Sequence, residues 1–398
     1  MSSDQRLIYS AAFVRALAVG LIGVLFAIYL VARGLQAAQI GFLVAIGLAG
    51  SASSTFLVSF WADRIGRRRC LVLLSLCMAV GGAGLALCPS FATLAAACFF
   101  GMVNSFGRER GAIHTLEQAI LPAAVTHQQR TNTFAWYNVL LDVGLALGSL
   151  LGSMPVFLRR ELGTGELASY QAGLFLYAGL IALCIFLYAR LSPQTEDHGP
   201  SLWRQITPAT RRTIVRLSVL FGFDSLAGGF LPGSLVAYWF FKRFGVGEGL
   251  LGPLFFAGHV ANAFSHLGAA WLSRRIGLVR TMVFTHAPSS LCLIALPFVP
   301  NLPAAILLYI VRECLVEMDL PTRQSYVMAV VEPHERTVAS GVTNLTRLAA
   351  WAVAPSFAGW IMNSVAVGLP LVIGGSMKIL YDALLFRSFH RLRPPEER

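Results

Sequence analysis

"RLSPQTEDHGPSLWRQITPATRR", residues 190–212, is the one long polar stretch in a chain that is otherwise strongly apolar. It is rich in Pro, Ser and Thr and has no apolar period, so it reads as a linker. On either side, apolar runs of about 20 residues recur, the length that crosses a ~30 Å hydrocarbon layer at ~1.5 Å per residue. Six spans can be drawn before it, at 8–31, 38–60, 69–88, 92–120, 132–157 and 169–190. Six follow it, at 213–241, 250–271, 280–299, 303–328, 337–362 and 367–388. The reading is an all-α polytopic membrane protein with a six-helix bundle over 1–190, a linker over 191–212 and a second bundle over 213–398.

Composition agrees. Of 398 residues 56% are hydrophobic and only 13% charged, with mean hydropathy +0.67, whereas about a quarter of a soluble chain is charged. The net charge of +12 does not point to nucleic acid, because the Arg residues fall between spans and not on one soluble face. Ile8 to Leu30 is too long for a signal-peptide core and lacks a small-residue cleavage site, so the first helix is expected to stay. Cys70, Cys77, Cys88, Cys98, Cys184, Cys292 and Cys314 show no metal-ligand spacing and read as small hydrophobes. No metal and no cofactor is expected.

Basic residues set the topology. Arg64, Arg67, Arg68 and Arg69 follow span 2, Arg204, Arg211 and Arg212 lie in the linker, and Arg274, Arg275 and Arg280 follow span 8. Arg387, Arg391, Arg393 and Arg398 end the chain, while the opposite loops carry little beyond Arg33, Arg159, Arg160, Lys242 and Arg243. Both termini and the linker are therefore expected on the cytoplasmic side of the cell (inner) membrane.

The halves also resemble each other. Residues 118–153 align with 324–359 without a gap, matching at Gln118/Gln324, Val125/Val331, Arg130/Arg336, Thr131/Thr337 and Asn138/Asn344. "WADRIGRRR" at 61–69 matches "LSRRIGLVR" at 272–280, with Gly66 over Gly277. The offset is 206 in one region and 211 in the other, so the first half holds about five extra residues near 104–118. Parallel repeats make a cavity between the halves the expectation.

"SFWADRIGRRRCL", residues 59–71, resembles the signature of the major facilitator superfamily after span 2, G-x-L-A-D-R-x-G-R-K-x-x-L. Asp63, Arg64, Gly66, Arg67, Arg68 and Leu71 fit; Ser59 and Trp61 depart from it. "QAILPAAVTHQQR" and "QSYVMAVVEPHER" resemble the family's loops leading to a single Arg, here Arg130 and Arg336. "GLALGSLLGS" at 144–153 and "APSFAG" at 354–359 together resemble the family's antiporter element G-P-x-x-G-G, with Ser149 and Ser153 replacing its Pro and last Gly. Close helix packing through small residues is the alternative reading of those glycines.

The resemblance implies a cytoplasmic gate in which Asp63 sits against a helix N-terminus and the Arg cluster reaches acidic partners, with Glu117, Arg130 and Arg336 joining it. It also implies a cavity lined by spans 1, 4, 7 and 10. Ionisable groups deep in a span are costly, and Arg15, Asp142, Asp224, Arg312, Glu313 and Arg347 fall roughly 10–17 Å from the nearer span end. Arg15, Arg108, Arg110, Asp224, Arg312, Glu313 and Arg347 are the substrate-cavity candidates. Each has the alternative role of an ion pair that only joins helices. Glu109, Asp224 and Glu313 are the proton-coupling candidates, since a carboxylate in a low-dielectric site exchanges its proton as neighbours move.

Three further expectations follow from helical geometry. Arg15 in "RALAVG" and Asp224 in "DSLAGG" sit in similar settings and could pair across the halves. In span 10, Arg312, Asp319 and Arg323 form one stripe and Glu313, Glu317 and Gln324 another about 120° away, one facing the cavity and the other a neighbouring helix. Span 4 reads as one long helix, with "RERGAIHTLEQ" as its cytoplasmic half and Glu109 or Glu117 reaching Arg67 to Arg69. His114 joins Arg110, Glu117 and Gln118 on that helix; His259, Asn262 and His266 share a face of span 8, as a relay or as interface contacts.

The function expected is secondary transport of a small organic molecule by alternating access, with proton-coupled export preferred to uptake or uniport of an anionic metabolite. A receptor without transport is the remote alternative, and a monomer in the lipid bilayer is expected. No nucleophile–base pair or nucleotide loop points to an enzyme, and ATP-driven transport lacks its G-x-x-x-x-G-K-[ST].

Overall fold

The computed structural model describes residues 3–103, 105, 111–121, 130–196, 208–319, 323 and 336–389. Arg108, Glu109, Arg110 and Gln324 lie outside these, as do the side chains of Asp63, Arg64, Arg130, His266 and Arg336. Among the described residues there is no strand. The first half comprises α1 (Ser3–Ala32), α2 (Ala37–Ile65), α3 (Arg67–Leu87), α4 (Phe91–Phe100), α5 (Ala112–Ile120), α6 (Arg130–Leu151), α7 (Met154–Leu162) and α8 (Glu166–Ala189). The second comprises α9 (Pro208–Gly229), α10 (Gly233–Phe244), α11 (Glu248–Ile276), α12 (Leu278–Ala295), α13 (Leu302–Val316), α14 (Arg336–Ser364) and α15 (Leu369–Phe389).

α1 is apolar on every side and buried over most of its length, which makes it a central helix and not a surface one. It packs on α6, where a Cβ added at Gly148 would lie 2.1 Å from the Leu17 carbonyl oxygen. A Cβ at Gly144 would lie 2.7 Å from that of Ala16. The glycines of span 5 are thus used to bring two backbones together.

The halves meet through α2 against α14 and α6 against α11. At the first contact Gly41 and Gly359 face each other, and a Cβ on either would strike the opposite backbone at 2.3–2.4 Å. Asp4 accepts from the Ser192 amide at 2.9 Å and its hydroxyl at 2.6 Å, which places the N-terminus beside the start of the linker.

Gly66 caps α2 and opens α3 at φ 105°, ψ 126°, and Gly277 does the same between α11 and α12 at φ 88°, ψ 163°. Only glycine adopts this region without strain, so the two matched glycines form matching corners.

Span 4 is not one helix. α4 ends at Gly101, Met102 takes φ 48°, and α5 starts after Gly111 at φ 140°. Span 7 is also interrupted, because α9 ends at the Gly228–Gly229 pair and Pro232, which lacks an amide donor, caps α10. Span 10 leaves the α-helix at Glu317.

Candidate functional site

The first half holds a closed charge network. Arg15 and Glu117 are 1% and 0% exposed, so neither charge has water to solvate it. Arg15 Nη2 bonds Glu117 Oε2 at 2.6 Å, and Arg15 Nη1 donates to the Tyr188 hydroxyl at 2.5 Å. Tyr188 and Tyr137 each donate to Glu117 at 2.6 Å. Since the Tyr137 proton goes to Glu117, its oxygen accepts from His114 Nδ1 at 2.9 Å, and His114 Nε2 accepts from Gln118 at 3.0 Å. Spans 1, 4, 5 and 6 are tied here. Glu117 therefore meets Arg15, not the Arg67 to Arg69 cluster, because α5 turns that carboxylate inward.

The second half holds an open one. Asp224 accepts from Lys378 Nζ at 3.1 Å and Arg323 Nη2 at 3.0 Å, and Arg323 also bonds Asp319. Lys378 Nζ lies 3.1 Å from His286 Nε2, and His286 Nδ1 lies 2.9 Å from Asp382. An ammonium only donates, so Nε2 is the bare nitrogen and Nδ1 carries the proton to Asp382. Asp382, His286, Lys378, Asp224, Arg323 and Asp319 thus form one unbroken chain across spans 12, 9, 7 and 10. Arg15 does not pair with Asp224; each charge is neutralised within its own half.

A cavity opens on this chain. Its lining runs from Asp224 to Lys378, all in the second half, and takes in Arg312, Glu313, Arg323 and Arg347. Arg312 bonds Glu313, which also accepts from Asn262 Nδ2 at 2.9 Å. Glu317, Asp319 and Arg323 line the cavity as well, so both stripes of span 10 contribute. His259 and Asn262 also line the cavity.

Arg347 differs from the other lining cations. Its Nε donates to Ser225 Oγ at 3.2 Å and its guanidinium stacks 4.9 Å from the Trp351 ring centroid. Among the described residues no carboxylate lies within ion-pair distance of it, whereas Arg312, Arg323 and Lys378 each have one. Among the described residues no cluster suits a metal ion.

At the end opposite the termini the halves are joined by Glu248. Its carboxylate bonds Arg159 and accepts from Tyr170 at 3.2 Å, and its carbonyl accepts from Ser153 at 3.0 Å. Closer to the middle, Ser234 of span 7 donates its amide to the Ser105 carbonyl of span 4 at 3.2 Å.

Lys378, His286, Asp382, Tyr137 and Tyr188 did not emerge from the sequence reading. Lys378 and Asp382 are four residues apart in an apolar span, a signal that the cost of intramembrane charge makes legible.

The family model described as the Major Facilitator Superfamily matches residues 8–355. The chain belongs to the Major Facilitator Superfamily. It is 27% identical over 418 residues to the uncharacterized membrane protein YJR124C of Saccharomyces cerevisiae, covering 96% of this chain and 93% of that one. In fold it is similar to the nucleoside transporter NupG, with TM-score 0.75 at 13% identity over 97% of this chain and 100% of the other. A D-xylose–proton symporter gives TM-score 0.75 at 15% identity, with 98% of each chain covered. Twelve spans in two repeated bundles are the fold of this superfamily, as the motif at 59–71 implied.

Proposed function

We propose that the protein is a proton-coupled secondary transporter that moves a small organic solute through the second-half cavity by alternating access. The observation that carries this reading is the chain from Asp382 to Asp319, whose members from His286 onward line the cavity. Asp224 is its hub, since its single carboxylate holds Lys378 of span 12 and Arg323 of span 10. A proton on Asp224 removes the charge that both cations need, so spans 7, 10 and 12 lose their tie together. That gives the proton a different affinity for two arrangements, which is what coupling requires.

Glu313 is a weaker coupling residue in this reading, being held by Arg312 and Asn262. The glycines of span 5 are used in packing against α1, so they carry no argument for export over uptake. The bundles 1–190 and 213–398 rock about the α2–α14 and α6–α11 contacts. The excess of Arg in the linker and on the α2–α3 and α11–α12 corners favours a cytoplasmic side for both termini. A monomer in the cell membrane suffices for this cycle. The fold is shared with a D-xylose–proton symporter, whose printed description couples a solute to protons.

The test is solute uptake into proteoliposomes holding the purified full-length protein, with and without a proton gradient. Asp224→Asn should keep solute counterflow and lose gradient-driven accumulation. Accumulation in the unaltered protein that ignores the gradient overturns the coupling; absence of any solute movement overturns transport.

A further inference from the structure

We propose that the solute is a small organic monocarboxylate whose carboxylate seats on the Arg347 guanidinium, with its organic body against Trp351. This deepens the transport reading and rests on the same cavity. Four cations line that cavity, and among the described residues Arg347 alone has no carboxylate within ion-pair distance. Its geometry is that of a prepared clamp. Ser225 Oγ accepts from Nε, the Trp351 ring supports one face, and among the described residues no hydrogen bond reaches Nη1 or Nη2.

A guanidinium presents parallel donors in a fixed fork that matches the two oxygens of a carboxylate. The neighbouring carboxylates favour a single negative charge. Asp224, Glu313, Glu317 and Asp319 line the same cavity, so a phosphate dianion is repelled there more strongly than a monocarboxylate is.

The rest of the lining describes the remainder of the molecule. Trp351, Tyr309 and Phe255 offer aromatic walls to an apolar body. Among the described residues Asn262 Oδ1 is buried without a donor while its Nδ2 is committed to Glu313, so a hydroxyl or amino group on the solute satisfies it.

The experiment measures thermal unfolding of the full-length protein in detergent with four probes: benzoate, phenyl phosphate, benzamide and benzylamine. Benzoate should raise the melting temperature saturably, phenyl phosphate less, and the neutral and cationic probes not at all. Arg347→Gln should raise the half-saturating benzoate concentration by about tenfold or more, the loss of a charge-assisted bond pair. Arg347→Lys keeps the charge without the fork and should fall between the two, and it decides the matter if the Gln variant does not fold.

Equal benzoate protection in these variants, protection by benzylamine or benzamide matching that by benzoate, or no shift with any probe overturns the proposal. Arg347-dependent benzoate protection in a protein that moves no solute overturns transport and leaves this site standing. Counterflow of an uncharged or cationic solute that Arg347→Gln leaves unchanged does the reverse.

Discussion

Glu117 and Arg323 occupy the same place in the internal repeat with opposite charge. The offset of 206 that aligns Gln118 with Gln324 sets one on the other. Each then meets a partner of reversed sign on the first span of its own half, Arg15 for Glu117 and Asp224 for Arg323. The ion pair that joins spans 1 and 4 is thus inverted in the pair that joins spans 7 and 10. The surroundings differ as well: Arg15 and Glu117 are enclosed by tyrosines, while Asp224 and Arg323 border the cavity. One half carries a sealed pair and the other an accessible one.

Breaking the sealed pair should destabilise the fold. Glu117→Gln leaves the Arg15 charge buried and uncompensated, a change that costs about 3–5 kcal/mol. Thermal unfolding in detergent should show a large fall in melting temperature. Combining Arg15→Glu with Glu117→Arg should recover a substantial part of the loss, whereas a double variant no better than the singles contradicts the pairing.

Proton transfer along the second-half chain should depend on His286. Gln at this position can donate to Asp382 and accept from Lys378 but cannot pass a proton from one ring nitrogen to the other. His286→Gln should lower gradient-driven accumulation about tenfold while counterflow stays close to normal. Uptake assays run at a series of external pH values check this. An unchanged gradient response would assign the proton elsewhere.

The matched corners give a backbone prediction. At Gly66 and Gly277 any other residue must enter a region open in practice only to glycine, which costs about 1–3 kcal/mol. Gly66→Ala and Gly277→Ala should each lower the melting temperature by similar amounts. An Ala variant as stable as the original at either site is inconsistent with the φ values of 105° and 88°.

The Glu248 clamp should bias the cavity toward closure at the end away from the termini. Glu248→Gln loses the ion pair with Arg159, worth about 1 kcal/mol or roughly a fivefold change in population. In a cysteine-free background, a cysteine at position 234 should then react faster with an impermeant maleimide added from that side. No change in rate would show that the clamp does not limit opening.

The apolar runs, the polar linker and the arginine-rich corners were legible in the sequence because hydropathy and charge belong to each stretch by itself. Gly66 and Gly277 were legible too, as aligned glycines at matched corners. The costly charges Arg15, Asp224, Arg312, Glu313 and Arg347 could be picked out for the same reason. Their partners could not. The sequence alone allowed Arg15 to face Asp224, and it took the contact of Gly148 with Leu17 to bring spans 1 and 5 together, with span 6 beside them, and aim Arg15 at Glu117. The breaks at Gly101, Pro232 and Glu317 were invisible to a continuous apolar run, yet the last two interrupt spans 7 and 10, which line the cavity. What a residue costs in the membrane is a local property. Which residue answers it depends on helix rotation and close approach, fixed by small residues far apart in the chain.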